Sequence, residues 1–184
     1  MDARLPRRLD ALAHAFSAQN PGDLKRIGND AIADAALGSD HDLAAISVIA
    51  YSLYKMSSKE HFTQSPRWQK ILDGISASLQ KSLQACSQGE ENSMHRNMDG
   101  VISKIRDVDN ELSNYARNIY EKAKIKQAST AYALGMSLGQ AAELTGANRN
   151  ELQRYIGITR IHDEQPPDRG IAQRLRRLKW MLLQ

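Results

Sequence analysis

Proline is absent from 99 consecutive residues, positions 67 to 165, which make up more than half of this 184-residue chain. Proline breaks helices more reliably than any other residue, so this stretch is free to be helical. The apolar composition favours helices as well. The chain has 23 Ala, 19 Leu and 14 Ile against 3 Val and 10 aromatic residues, and strands are typically rich in Val and aromatics. The sequence therefore predicts an all-α fold.

Start and stop signals in residues 1–88 predict an N-terminal helical bundle. A first helix is expected near 5–18 and a second near 23–37, each with apolar residues at steps of three and four. A third should begin after Asp40, a good N-cap residue, and continue to about Met56. Its apolar centre makes it the element we expect to be most buried.

The next part of the chain contains a helix start followed by a heptad repeat. Ser65-Pro66 places a cap residue before a proline at the first helical position, which predicts a helix to about Ser87. Residues 89–134 are expected to form one long connecting helix. Its apolar residues alternate in steps of four and three: Met94, Met98, Val101, Ile105, Val108, Leu112, Tyr115 and Ile119.

A stripe of this kind has two structural interpretations. It forms the seam of an antiparallel helical hairpin with the preceding helix, or a coiled coil with a second chain. The two arrangements are compatible with each other, so the stripe predicts a long hairpin and leaves a homodimer open.

Charge is distributed unevenly between the two parts of the chain. Residues 1–116 contain 13 Lys and Arg against 15 Asp and Glu, a net charge of −2, whereas residues 117–184 contain 12 against 6, a net charge of +6. A basic segment of this kind indicates a polyanionic partner without specifying which one.

The run SLGQAAELTGANRNELQRYIG has the pattern of two short helices joined by a tight turn. Such a motif needs a small residue where the second helix crosses the first, and a glycine about four residues later that turns the chain with positive φ. Ala142 and Gly146 stand at these places, and Leu152 and Tyr155 supply the inner face of the second helix. Residues 135–161 are therefore predicted to form a helix-turn-helix.

The outer face of the predicted second helix is rich in amides and guanidinium groups. Arginine pairs bidentately with guanine and Asn or Gln with adenine, while a helix N-terminus can approach a phosphate. Asn148 is also expected to cap this helix. We expect double-stranded DNA to be contacted by Asn148, Arg149, Asn150, Gln153, Arg154 and Arg160.

The tract GMSLGQAAELTGANRNELQRYIGITRI resembles the helix-turn-helix of small prokaryotic antitoxin-like regulators and of uncharacterised archaeal helix-turn-helix proteins. In these proteins a GxSLGxAAELxG run precedes the second helix. The resemblance is confined to this tract. It implies DNA binding by Arg149, Asn150, Gln153 and Arg154, in a transcriptional regulator or a chromosome-associated protein.

Two basic segments flank this tract. The helix before it carries Arg117, Lys122, Lys124 and Lys126. Residues 168–184 have the pattern of a basic amphipathic helix, whose apolar stripe would pack on the chain's own core, on a partner subunit or on a membrane surface. We favour a subunit contact, which together with the heptad stripe predicts a homodimer whose paired helices reach DNA half-sites about 34 Å apart.

No catalytic residue, metal site or cofactor is expected. The five histidines are scattered, and no pair has the spacing of metal ligands on a helix. The single cysteine, Cys86, excludes an internal disulfide and is expected in the core. The chain also has no Walker loop, Rossmann glycine fingerprint or nucleophile elbow.

Two alternatives to DNA binding stay open. One is a protein-interaction adaptor or an antitoxin-like partner, because helix pairs of this kind also pack against proteins. The other is a helical ribonuclease of the HEPN type, because the spacing of Arg8 and His14 resembles the Arg–His motif of that family. A ribonuclease would use these groups for general base catalysis and phosphate charge stabilisation.

The expected location is the cytoplasm. No run of about 18 apolar residues is present to span a membrane, and the first residues, MDARLPRRLDALAHAF, lack the apolar centre and cleavage site of a secretory signal.

Overall fold

A computed structural model of the protein describes residues 3–112 and 118–162, with the backbone alone at 109–112 and 159–162. These residues form helices and no strand, which confirms the all-α prediction. The helices in the described part are α1 (Arg4–Ser17), α2 (Pro21–Gly38), α3 (His41–Ser57), α4 (Glu60–Thr63), α5 (Trp68–Ser87), α6 (Glu91–Leu112), α7 (Ile119–Ala133), α8 (Leu138–Thr145) and α9 (Arg149–His162). None of them is both long enough and apolar enough to cross a bilayer.

The first three helices begin and end within about two residues of the positions predicted from their capping signals. The Asp40 side chain accepts a hydrogen bond from the backbone N–H of Leu43 at 2.9 Å, which confirms it as the N-cap of α3. Asn20 caps α2 in the same way through the N–H of Asp23 at 3.1 Å. Local capping chemistry therefore determines these boundaries.

Helix α3 lies at the centre of the core and packs against α1, α2, α6, α7 and α8. The side chains of Ile46, Ile49 and Leu53 are fully buried. Cys86 on α5 also belongs to the core, as expected, and burial raises the pKa of its thiol. The helix predicted to be most buried thus supports both the N-terminal helices and the C-terminal ones.

Helix α5 begins two residues later than the Ser65-Pro66 signal predicts. The Ser65 hydroxyl accepts a hydrogen bond from the N–H of Arg67 at 3.3 Å, and its carbonyl accepts one from the N–H of Trp68 at 2.9 Å. These bonds hold residues 65–68 in a turn, so the helix starts only at Trp68.

Helices α5 and α6 pack along each other in opposite directions. Gly74 lies next to the Lys104 side chain, and Ser78 accepts a hydrogen bond from the Lys104 ammonium at 3.0 Å. The first five residues of the heptad stripe are at most 7% exposed: Met94, Met98, Val101, Ile105 and Val108. This part of the stripe is therefore covered within a single chain.

The prediction of one long helix over residues 89–134 is wrong. The structure has two separate helices there, α6 and α7. Asn118 has a φ of +74°, in the left-handed region, and α7 begins immediately after it. A right-handed helix cannot continue through such a residue. Residues 113–117 lie outside the described part of the chain, and so does the predicted helix at 168–184.

Candidate functional site

Helices α8 and α9 are joined by a turn whose geometry matches the one predicted at Gly146. Ser137 and Gln140 form a reciprocal capping box at the start of α8, with hydrogen bonds of 3.2 and 3.1 Å. Gly146 ends α8 with a φ of +65°, and its N–H donates to the carbonyls of Ala142 and Glu143. The positive φ confirms the reason for a glycine at this position.

Asn148 begins α9 as an N-cap, as expected. Its side-chain oxygen accepts hydrogen bonds from the N–H groups of Asn150 at 3.0 Å and Glu151 at 3.1 Å. These two N–H groups are therefore satisfied within the protein. A phosphate approaching the start of α9 would meet the N–H of Arg149 and the amide NH₂ of Asn148.

The inner faces of the two helices hold the pair against the bundle. Ala141 and Leu152 are fully buried, and Leu144 is 5% exposed. Tyr155 and Ile156 are half-buried, and Ile156 packs against the same core. Both helices contact α7, and α8 also contacts α3, so α9 is held against the bundle through Leu152 and its neighbours on the inner face.

The outer face of α9 presents the side chains that the sequence predicted. Arg149, Asn150, Gln153 and Arg154 are all exposed, and positions i, i+1, i+4 and i+5 share one side of a helix. Asn148 is exposed beside them, whereas the side chain of Arg160 lies outside the described residues.

No carboxylate of the described residues neutralises the guanidinium groups on the outer face of α9. In the described part of the chain, neither Arg149 nor Arg154 forms an ion pair. Glu151 is exposed, and helical periodicity places it at the edge of the face. The surface is thus basic and amide-rich, with one carboxylate at its margin.

The basic residues that precede the helix-turn-helix tract do not form one basic surface. Lys124 forms an ion pair with Glu121 at 3.1 Å, and its ammonium lies close to Gly146. Lys122 and Lys126 instead line a pocket that also contains Tyr155. Arg117 lies outside the described residues.

Lys55 of α3 and Lys59, in the turn after α3, also line this pocket, and the sequence analysis missed them. The available signal was weak: each pair of lysines, at 55 and 59 and at 122 and 126, is separated by one helical turn.

Of the two candidate ribonuclease residues, Arg8 forms ion pairs between two helices and His14 lies on the surface. Arg8 forms ion pairs with Asp34 at 2.7 Å and Asp30 at 3.3 Å, which connect α1 to α2. The side chain of His14 is exposed. In the described residues, no three His, Cys, Asp or Glu side chains lie close enough together to hold a metal ion.

Comparison with protein-family models, with curated proteins and with solved structures gave no match to this chain.

Proposed function

We propose that this protein binds double-stranded DNA through α8 and α9, as a transcriptional regulator or a chromosome-associated protein, with the outer face of α9 in the major groove. The observation that carries the proposal is the exposed row of Arg149, Asn150, Gln153 and Arg154 on a helix whose opposite face is anchored by buried Leu152. This arrangement directs groups capable of reading bases away from the protein.

The dimensions and chemistry of α9 suit the groove. A helix with its side chains is about 10–12 Å wide, close to the roughly 12 Å width of the major groove. The two arginines can donate bidentately to guanine. Asn150 or Gln153 can donate to N7 of adenine and accept from its N6 amino group. Each such pair contributes about 1–3 kcal/mol of discrimination between bases.

Contacts with phosphates would position α9 in the groove. Asn148 and the start of α9 lie at one end of the row, where an amide NH₂ and a backbone N–H can donate to a phosphate oxygen. The net charge of +6 over residues 117–184 favours association with a polyanion. The expected binding therefore weakens steeply as salt concentration rises.

A homodimer belongs to the same proposal. Two copies of α9 related by a twofold axis would reach half-sites about 34 Å apart. Because Met94, Met98, Val101, Ile105 and Val108 are covered within one chain, subunit contact must use another surface. The size of the protein in solution, measured by light scattering with and without duplex, tests this part of the proposal.

The double variant Arg149→Ala/Arg154→Ala tests the recognition helix. Loss of both guanidinium groups should weaken duplex binding by about a hundredfold or more at moderate salt, and should reduce the salt slope wherever either group contacts a phosphate. Fluorescence anisotropy with labelled duplex across a salt series measures both quantities, and circular dichroism should show unchanged helicity.

The matched control is Arg7→Ala/Arg96→Ala, which removes two exposed arginines from α1 and α6. It changes the net charge equally and should alter affinity by less than about threefold, since general attraction between charges is screened by salt. Equal weakening by the two double variants would reduce the effect to net charge and refute α9 as the contact. Co-purification of a second protein without any duplex binding would favour the adaptor alternative.

A further inference from the structure

A pocket separate from the outer face of α9 opens between α3 and α7. It has a volume of about 420 Å³, within the range of about 300–1,000 Å³ typical of small-molecule sites. Tyr155 of α9 forms part of its wall, and the residue therefore points away from the proposed DNA contact.

The charged groups among the described residues that line this pocket are lysine ammonium groups. Lys55 and Lys59 line it from the α3 side and Lys122 and Lys126 line it from α7, and no Asp or Glu among the described residues does so. Lys122 and Lys126 are one turn apart on the same face of α7, an arrangement that is destabilising for like charges unless an anion is present.

In the described residues, the charges of Lys55, Lys122 and Lys126 are not balanced by nearby carboxylates. In the described part of the chain, no Asp or Glu lies within ion-pair distance of Lys55, Lys122 or Lys126. Lys124 on the same helix shows the contrast, because it is paired with Glu121 at 3.1 Å. Within the described residues, α7 thus has one lysine in an ion pair, Lys124, and two lysines at the pocket with no carboxylate partner, Lys122 and Lys126.

The rest of the lining is apolar and aromatic. Tyr51 and Tyr155 contribute rings, and Ile119, Ala123 and Ile125 contribute aliphatic surface. The ammonium of Lys55 lies 5.4 Å from the ring centroid of Tyr51. A cation–π contact of this kind positions the ammonium without neutralising its charge.

We propose that this pocket binds a small amphipathic anion: an aliphatic or aromatic body packed on the tyrosine rings and Ile119, with a carboxylate, sulfonate or phosphate group held by Lys55, Lys122 and Lys126. An inorganic anion alone would leave the apolar lining exposed to water, and a neutral apolar molecule would leave the ammonium groups without a partner. The combination of both surfaces therefore determines the ligand class.

The test uses the full chain and no DNA, so its result is independent of the proposed DNA binding. Anilinonaphthalene sulfonate, which has an aromatic body and one anionic group, serves as a fluorescent probe. It should bind at one site per chain. Decanoate and naphthyl phosphate should displace it, whereas decanol and inorganic phosphate should not. The first two competitors show whether the site prefers a carboxylate or a phosphate ester.

The decisive variant is Lys122→Gln/Lys126→Gln, with Lys70→Gln/Lys81→Gln on the exposed side of α5 as a control of equal charge change. The pocket variant should bind the probe about tenfold more weakly or worse, since hydrogen bonds to charged groups are strong, and the control should bind as the wild type does. Removing two like charges should leave the thermal midpoint unchanged or raised. Equal probe affinity in both variants, displacement by decanol as efficient as by decanoate, or no saturable binding overturns the proposal.

Discussion

Two pairs of consecutive helices, α5–α6 and α8–α9, are joined by the same kind of glycine turn and differ in the side chains that they expose to solvent. Each pair is joined by a short connection containing a glycine in the left-handed region, with φ of +73° at Gly89 and +65° at Gly146. The second helix of each pair buries an apolar stripe, in which Ile105 and Leu152 are fully buried. The turn and the stripe therefore specify helix packing and say nothing about function.

The outer faces distinguish the two pairs. On α6 the exposed side chains carry charges of both signs: Arg96, Asp99, Arg106 and Asp107. On α9 they are arginines and amides with one carboxylate at the edge: Arg149, Asn150, Gln153, Arg154 and Glu151. A mixed surface is typical of a solvated helix, whereas a row of guanidinium and amide groups suits a nucleic-acid groove.

The largest effects should come from removing the buried anchor of each pair. Ile105→Ala and Leu152→Ala each leave a cavity at a fully buried position, so each should lower the free energy of unfolding by about 2–5 kcal/mol. Urea denaturation followed by circular dichroism measures this change. Duplex affinity, measured well below the unfolding transition, should fall only for Leu152→Ala, because Leu152 fixes the orientation of α9.

Ser103→Ala, at an exposed position of α6, is the control and should change the free energy of unfolding by less than about 0.5 kcal/mol. If Ile105→Ala weakened duplex binding as much as Leu152→Ala under the same conditions, the functional distinction between the two pairs would be lost.

A smaller effect is expected from the two glycines. An added Cβ at Gly146 would lie 3.9 Å from the end of the Lys124 side chain, and one at Gly89 would meet nothing within 4 Å. The cost of Gly146→Ala or Gly89→Ala therefore comes from the positive φ and should be about 1 kcal/mol in unfolding free energy for each.

The glycine variants should differ in duplex binding, which only Gly146→Ala should weaken, since it disturbs the turn that leads into α9. Gly146→Asn should recover part of the loss, because Asn tolerates the left-handed region better than Ala. A Gly146→Ala protein with wild-type affinity would show that the geometry of this turn is irrelevant to the contact.

The sequence was most informative where the signal is local. The Asp40 cap, the glycine turn at Gly146 and the exposed face of α9 each depend on a few neighbouring residues and on helical periodicity, and the structure agrees with all three. Neighbouring residues determine capping and turn conformation directly, so no knowledge of tertiary contacts is needed.

The sequence was less informative where the outcome depends on a single backbone conformation or on distant residues. The heptad steps continue unchanged from Val108 to Ile119, so the pattern gives no sign that Asn118 adopts a positive φ. The pocket joins Lys55 of α3 to Lys122 of α7 and Tyr155 of α9. Only tertiary packing brings these three segments together, and charge periodicity within one helix cannot reveal it.

The smallest expected effect is on the ionisation of Tyr120, which lies where α6 contacts α7, between the α5–α6 pair and the α8–α9 pair. Tyr120 on α7 is 7% exposed, and the guanidinium carbon of Arg106 lies 4.9 Å from its ring centroid. Burial raises the pKa of the Tyr120 phenol to about 12, with the charge of Arg106 acting in the opposite direction.

An unfolded tyrosine ionises near pH 10, so the neutral phenol contributes its full share of stability below that pH and loses it as the pH rises toward about 12. The tyrosinate absorbance of the wild type minus that of Tyr120→Phe isolates this group, and the difference should titrate with a midpoint near pH 12. A midpoint near pH 10 would mean that water reaches the phenol in the native protein. The contact of α6 with α7 at Tyr120 would then be open to water, and α3 would be left as the main connection between α5–α6 and α8–α9.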